Sequence, residues 1–149
     1  NKLMEINADN LRMVNGQIKP INGMTEKLVT IFNSLNREDF MPEEFKERAY
    51  VEKNFALSNH RVILKPEIVA KIAMHINLKE NENVLVLGST TGYLTAVLSL
   101  IAETVIVVEE DDKYIKSSEI DELCAQIAAS FSVSNSSKSM LFWVCLRSK

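Results

Sequence analysis

Gly88 and Gly92 bracket the pentapeptide Gly88-Ser-Thr-Thr-Gly92, and Glu109 follows 21 residues after the first glycine. Glycines at this spacing let the backbone take conformations that side chains forbid and let a ligand come close to the chain. A carboxylate offers acceptors only, so one held beside such a turn selects a diol, as on a ribose. The turn is Gly-x-x-x-Gly, not the Gly-x-Gly-x-x-Gly dinucleotide fingerprint, and no Gly-Lys-Ser/Thr phosphate loop occurs. An acid with few basic neighbours suits a nucleoside that lacks extra phosphate. S-adenosylmethionine meets these terms, with a ribose diol, no phosphate and a sulfonium cation at ease among acids. On this reading Gly88, Ser89, Thr90, Gly92 and Tyr93 form the cofactor turn and Glu109 binds the ribose. The bland alternative is that the glycines only cap a strand and a helix, with Glu109 solvated in a loop and Tyr93 merely starting the helix.

The elements around the turn follow from periodicity. Val84-Leu-Val-Leu87 is a short apolar run, expected of a parallel strand buried on both faces. A helix through Tyr93, Leu94, Val97, Leu98 and Ile101 follows, and Thr104-Val-Ile-Val-Val108 is a second β-branched run. Together they predict one βαβ unit with the ligand beyond the carboxyl ends of its strands. Upstream, residues 3–18 have near-helical apolar spacing. Met24, Leu28, Ile31, Phe32 and Leu35 form a helical stripe. Pro42 opens a short turn carrying Phe45, and residues 50–64 read as a loop with a strand near Val62-Ile-Leu64. Pro66 starts a helix whose Ile68, Val69, Ile72, Ala73 and Ile76 share one face. Residues 113–128 are expected to form a further helix.

The 149 residues suffice for a single core, and 17 basic against 20 acidic groups leave a net charge of -3. That balance gives no whole-chain electrostatic case for nucleic acid or an anionic membrane surface. Cys124 and Cys145 are too few for a disulfide scaffold or a multi-cysteine zinc site. The longest apolar run, Met140–Leu146, is far short of a membrane span. With no basic-then-apolar leader at its start, the chain is expected to be cytoplasmic.

These averages hide three regions: a helical extension over 1–80, a Rossmann-like βαβ unit over 81–128 and an atypical tail over 129–149. The first mixes 12 basic and 11 acidic residues, whereas 81–125 holds nine acids against two lysines. From residue 126 onward there is no acid, and six serines fall within Ser130–Ser139. Such a tail reads as a linker plus strand or as an altered reading frame.

Other candidates are weaker. His75 reads as a surface or partly buried residue on its helix and His60 as a turn residue rather than a proton shuttle. The two cysteines have no paired base. Glu110, Asp111 and Asp112 lack the spacing of a calcium loop and read as a solvated helix start. No metal site is expected.

Met13-Val-Asn-Gly-Gln-Ile-Lys-Pro20, Arg37-Glu-Asp-Phe-Met-Pro42 and Ala49-Tyr50 resemble the N-terminal region of protein-L-isoaspartate O-methyltransferases, in particular their divergent alphaproteobacterial branch. Val84 to Ala96 resembles that family's cofactor motif, and Val105-Ile-Val-Val-Glu109 its ribose-binding strand end. The resemblance covers roughly residues 10–116. It implies an α/β fold, a Rossmann-like class I methyltransferase sheet with an N-terminal helical extension. It also implies S-adenosylmethionine as cofactor, no metal, and methylation of isoaspartyl carboxylates in damaged proteins or peptides.

The sequence departs from the family pattern at three positions. Thr90 stands for the middle glycine, Val86 for an acid, and Leu64 in Ile63-Leu-Lys-Pro66 for the hydroxyl residue of Ile-Ser-Gln-Pro. No catalytic residue is therefore assigned. Only 40 residues follow Glu109, which predicts a sheet incomplete at its C-terminal end, with an exposed edge and apolar face open to self-association. A non-catalytic cofactor-binding or interaction fragment of a truncated gene is the second reading. A nicotinamide-dependent oxidoreductase is a third, disfavoured by the fingerprint spacing.

Overall fold

The computed structural model describes residues 7–57 and 60–109, together with the short strand Phe142–Trp143. The chain divides into two compact units, Asn1–Asn77 and Leu78–Lys149.

In the first unit, helix α1 (Ala8–Met13) starts where the Asn7 side chain accepts from the Asp9 amide at 2.8 Å. That is the expected N-terminal cap for a helix carrying Asp9 in its first turn. The first predicted helix is thus shorter at its start, and residues before 7 lie outside the described ones. It ends in a wide π turn, Val14–Ile18, closed by a 2.8 Å bond from the Lys19 amide to the Val14 carbonyl. Helix α2 (Glu26–Ser34) is capped by Thr25, whose hydroxyl accepts from the Leu28 amide. Four residues of its predicted stripe, Leu28, Ile31, Phe32 and Leu35, are buried, whereas Met24 precedes the helix and is half-buried.

Two tight 3-10 turns follow, Arg37–Phe40 and Glu43–Arg48, the second opened by Pro42. The expected loop over 50–64 contains an antiparallel pair, β1 (Phe55–Ala56) and β2 (Val62–Ile63), with Phe55 opposite Ile63. Met41, Ala49, Phe55 and Ile63 form a small core there, covered by Phe45, whose ring centroid lies 4.9 Å from that of Phe55. Helix α3 (Pro66–Ile76) begins on its proline as predicted and ends at Asn77 in the left-handed region (φ 49°). Its buried line runs Pro66, Val69, Ala70 and Ala73, whereas Ile76 is 43% exposed. The expected face is therefore rotated towards the alanines, since small residues permit closer packing than the isoleucines.

In the second unit, β3 (Asn83–Leu87), α4 (Tyr93–Ser99) and β4 (Thr104–Val108) are the predicted strand, helix and strand. The strands are parallel and in register from Asn83 opposite Thr104 to Leu87 opposite Val108. Strand β5 (Phe142–Trp143), within the apolar run of the tail, lies parallel to β4 on its other side, giving the order β3-β4-β5. Val105 and Val107 pack with Leu98 and Ala102, and Val84, Val86 and Leu94 join them.

The opposite face corrects an expectation. β3 is not buried on both sides: Leu85 is 56% and Leu87 70% exposed, with Ile106 beside them. The run is apolar because alternate residues serve two faces, and among the described residues only the valine face is covered. The helix expected over 113–128, the acids 110–112 and both cysteines lie outside the described residues. No helix among the described residues is long and apolar enough to cross a membrane.

Candidate functional site

The glycine turn leaves the carboxyl end of β3 and enters α4, as the sequence predicts. Its first residue continues the sheet, since the Gly88 amide donates to the Val108 carbonyl at 2.8 Å. The chain then makes three left-handed excursions, at Gly88 (φ 70°), Thr90 (φ 52°) and Gly92 (φ 83°). Glycine takes such angles freely and explains two of the three. Gly92 caps α4, and its amide donates to the Ser89 carbonyl at 3.1 Å. That carbonyl also accepts from the Thr90 hydroxyl at 2.7 Å. The Ser89 and Thr95 hydroxyls share a buried hydrogen bond of 2.7 Å, tying the turn to the first coil of the helix.

Glu109 meets this turn. One of its carboxylate oxygens, Oε2, accepts from the Thr90 amide at 2.9 Å, and the residue is only 2% exposed. It is therefore not solvated in a loop. The alternative in which the acid sits free in water fails on that contact. Tyr93 is the first residue of α4 and is buried at 4% exposure. All six residues singled out in the sequence thus lie on the turn, on the helix start or at the tip of β4. Thr95 was not singled out. Its signal was a hydroxyl two residues into the helix, a position where serine and threonine usually bond nearby backbone.

Neighbouring residues show what the arrangement can do. Val86 packs on the valine face and leaves the turn without a second carboxylate from β3. An acceptor-only group against a turn of backbone amides, with no lysine or arginine at hand on the turn, suits a neutral diol better than a phosphate. The donor set therefore fits the nucleoside end of S-adenosylmethionine. Among the described residues no group of three or more His, Cys, Asp or Glu is placed to hold a metal ion.

Leu64 belongs to the first unit, where its carbonyl accepts from Arg37 Nη2 at 2.7 Å. Arg37 is fully buried. Its Nε donates to the Ala49 carbonyl at 2.8 Å, and its amide to Asn10 Oδ1 at 3.2 Å. His60 sits in a turn with φ 60°, and His75 is exposed with Nδ1 2.8 Å from the Lys71 carbonyl. A carbonyl only accepts, so that ring nitrogen carries the proton.

The first unit also has an open groove of about 440 Å³ lined by Gln17, Glu52, Glu67, Lys71, Met74 and His75. Lys71 Nζ lies 2.5 Å from one Glu67 oxygen and Lys65 Nζ 3.1 Å from the other, and these pairings, Lys71 foremost, hold the pKa of the Glu67 carboxyl down at about 2. On the Arg37 side, burial and the Glu38 charge push the Tyr50 phenol up to about 12. Burial likewise raises Asp39.

A model of the protein-L-isoaspartate(D-aspartate) O-methyltransferase family matches residues 10–138. The chain is 37% identical over 75 residues to a Myxococcus xanthus protein-L-isoaspartate O-methyltransferase, covering 50% of this chain and 35% of that protein. With the Petrotoga mobilis enzyme of the same name, identity is 28% over 109 residues, covering 73% of this chain and 51% of the relative. The chain thus spans about a third to a half of the length of these relatives. A solved protein-L-isoaspartate O-methyltransferase superposes with a TM-score of 0.54 at 20% identity, over 83% of this chain and 38% of the other. The Plasmodium falciparum protein of that family, solved in complex with S-adenosyl-L-homocysteine, gives 0.53 at 16% identity, over 83% and 56%. These two likenesses establish the α/β methyltransferase fold.

Proposed function

The chain belongs to the protein-L-isoaspartate(D-aspartate) O-methyltransferase family, and we propose that it binds S-adenosylmethionine and takes part in methylating isoaspartyl carboxylates of proteins or peptides. The observation that carries this reading is the contact between Glu109 and the glycine turn, at the carboxyl ends of two parallel strands. Gly88, Ser89, Thr90 and Gly92 shape the backbone that receives the nucleoside, and Glu109 accepts from the ribose hydroxyls. Tyr93 closes the turn against the helix.

When bound, S-adenosylmethionine supplies an activated methyl group that a carboxylate takes by in-line displacement. The protein's task in such a reaction is alignment of carboxylate, methyl and sulfur, because proximity and orientation supply most of the acceleration. Leu64 offers no hydroxyl to orient the acceptor carboxylate, so weak or absent transfer is expected even where the cofactor binds. The competing reading, cofactor binding without catalysis, rests on that same leucine. The apolar face of Leu85, Leu87 and Ile106 beside the β3 edge is the surface through which we propose that copies of the chain associate.

Calorimetric titration with S-adenosylmethionine tests the cofactor reading, and no heat of binding at millimolar ligand overturns it. Transfer of a tritiated methyl group to an isoaspartyl peptide then separates an enzyme from a binder. Sedimentation velocity over a range of concentrations tests association. A single monomeric species throughout removes that part.

A further inference from the structure

Three non-glycine residues among those described have left-handed backbone: His60, Asn77 and Thr90. Asparagine and histidine tolerate that region, whereas a β-branched side chain is disfavoured there. Thr90 therefore needs to be held in place, and its bonds show what holds it. The hydroxyl donates to the adjacent Ser89 carbonyl, a local bond that moves with the turn. The amide donates to Glu109 Oε2, 19 residues away on the neighbouring strand. That long-range contact, at 2.9 Å, anchors the centre of the turn to the sheet.

We infer that Glu109 is a positioning residue for the glycine turn, fixing the strained Thr90 backbone through its amide, in addition to the ribose role proposed above. The turn and its acid then form one preassembled unit. A glycine at position 90 would keep the turn's shape without help, so the threonine makes that shape dependent on Glu109. The ligand-binding consequence rests on the S-adenosylmethionine reading, while the turn-holding role does not.

The test uses the full chain and two readouts. Amide exchange at Thr90 is measured without ligand in the native chain and in Glu109→Ala, Glu109→Asp and Glu109→Gln. Protection should fall by roughly tenfold or more in Glu109→Ala, yet persist in Glu109→Gln, whose side-chain oxygen still accepts from the amide. If Glu109→Ala fails to fold, Glu109→Asp gives the same loss by keeping the charge and shortening its reach.

S-adenosylhomocysteine is then titrated into Glu109→Ala and into the double variant Glu109→Ala/Thr90→Gly. Losing Glu109 should weaken binding by roughly ten- to a hundredfold. Thr90→Gly should recover about tenfold of that loss, a larger gain than it gives in the native background, because it frees the turn from its need for the acid. Equal effects of Thr90→Gly in both backgrounds, or a Thr90 amide indifferent to Glu109→Ala, overturn the inference. If no form of the chain binds the ligand, the cofactor reading fails and the exchange experiment alone decides the role of Glu109.

Discussion

Among the described residues, each unit of this chain buries one charged side chain against its own backbone, and the two charges do opposite work. In the first unit, Arg37 has no solvent exposure and donates to the carbonyls of Ala49 and Leu64. In the second, Glu109 accepts from the amide of Thr90. A guanidinium is a fork of donors that can gather several carbonyls at once, so Arg37 joins segments distant in sequence into one body. A carboxylate has several lone pairs on two oxygens, so one that holds a turn can also receive hydroxyl donors from a ligand. The difference teaches why the buried cation reads as architecture and the buried anion as a binding group.

The sharpest way to break that comparison is Arg37→Ala. Losing charged hydrogen bonds while leaving buried carbonyls behind should lower the unfolding free energy of the first unit by about 3 kcal/mol. Urea unfolding followed by circular dichroism reads the change, and a loss below about 1 kcal/mol would contradict the structural role. Arg37→Lys should restore little, because a single ammonium lacks the planar fork.

Next in size is Gly92→Ala in the other unit. A side chain at φ 83° is strained, so the substitution should destabilise by about 1–2 kcal/mol. The same titration as for Glu109 should show weaker ligand binding. A variant as stable as the parent would mean that the turn relaxes without harm.

Two pH dependences sharpen the picture of the first unit. The Tyr50 phenol is raised from 10.0 to about 12, by burial first and by the Glu38 charge second. Folding therefore favours the protonated form. The stabilisation is complete below about pH 10 and disappears as the pH rises through about 12. Tyr50→Phe should flatten the alkaline fall in Tm. Glu67 runs the other way, lowered from 4.5 to about 2 by Lys71 and Lys65. Its contribution is present above about pH 4.5 and is lost as the pH falls towards about 2. The pairing lies in an open groove, so this acid effect should be the smallest and should shrink further at about 1 M salt.

Much of the described part of the second unit was legible because its signals are local. β-branched runs, a glycine turn and an apolar helix face each state their own structure, and β4 falls on Thr104–Val108 as predicted. Pro66 did the same for α3. What escaped depends on contacts between distant residues. Nothing around Arg37 announces that an arginine will be buried, since Ala49 and Leu64 meet its guanidinium through their backbone carbonyls. The two-residue strand Phe55–Ala56 is too short to show an alternation and exists through its pairing with Val62–Ile63. Leu85 and Leu87 looked like core because the residue types of a strand do not say whether its second face is covered. Burial of Glu109 was likewise invisible, for it follows from the backbone amide that meets it.

The wide turn at Val14–Ile18 holds one residue more than an α-helix needs, and its outer side carries Gly16, around which a side chain would meet nothing within 4 Å. The wide turn absorbs that residue within one coil, so the stretches on either side keep the facing that an uninterrupted α-helix would give them. Asn10, just upstream, still reaches the Phe32 carbonyl and the Arg37 amide. Deleting Gly16 would close the coil to ordinary periodicity without turning the two halves against each other. A one-residue deletion at this open position is on that account milder than one inside a regular helix, which turns the halves by about 100°.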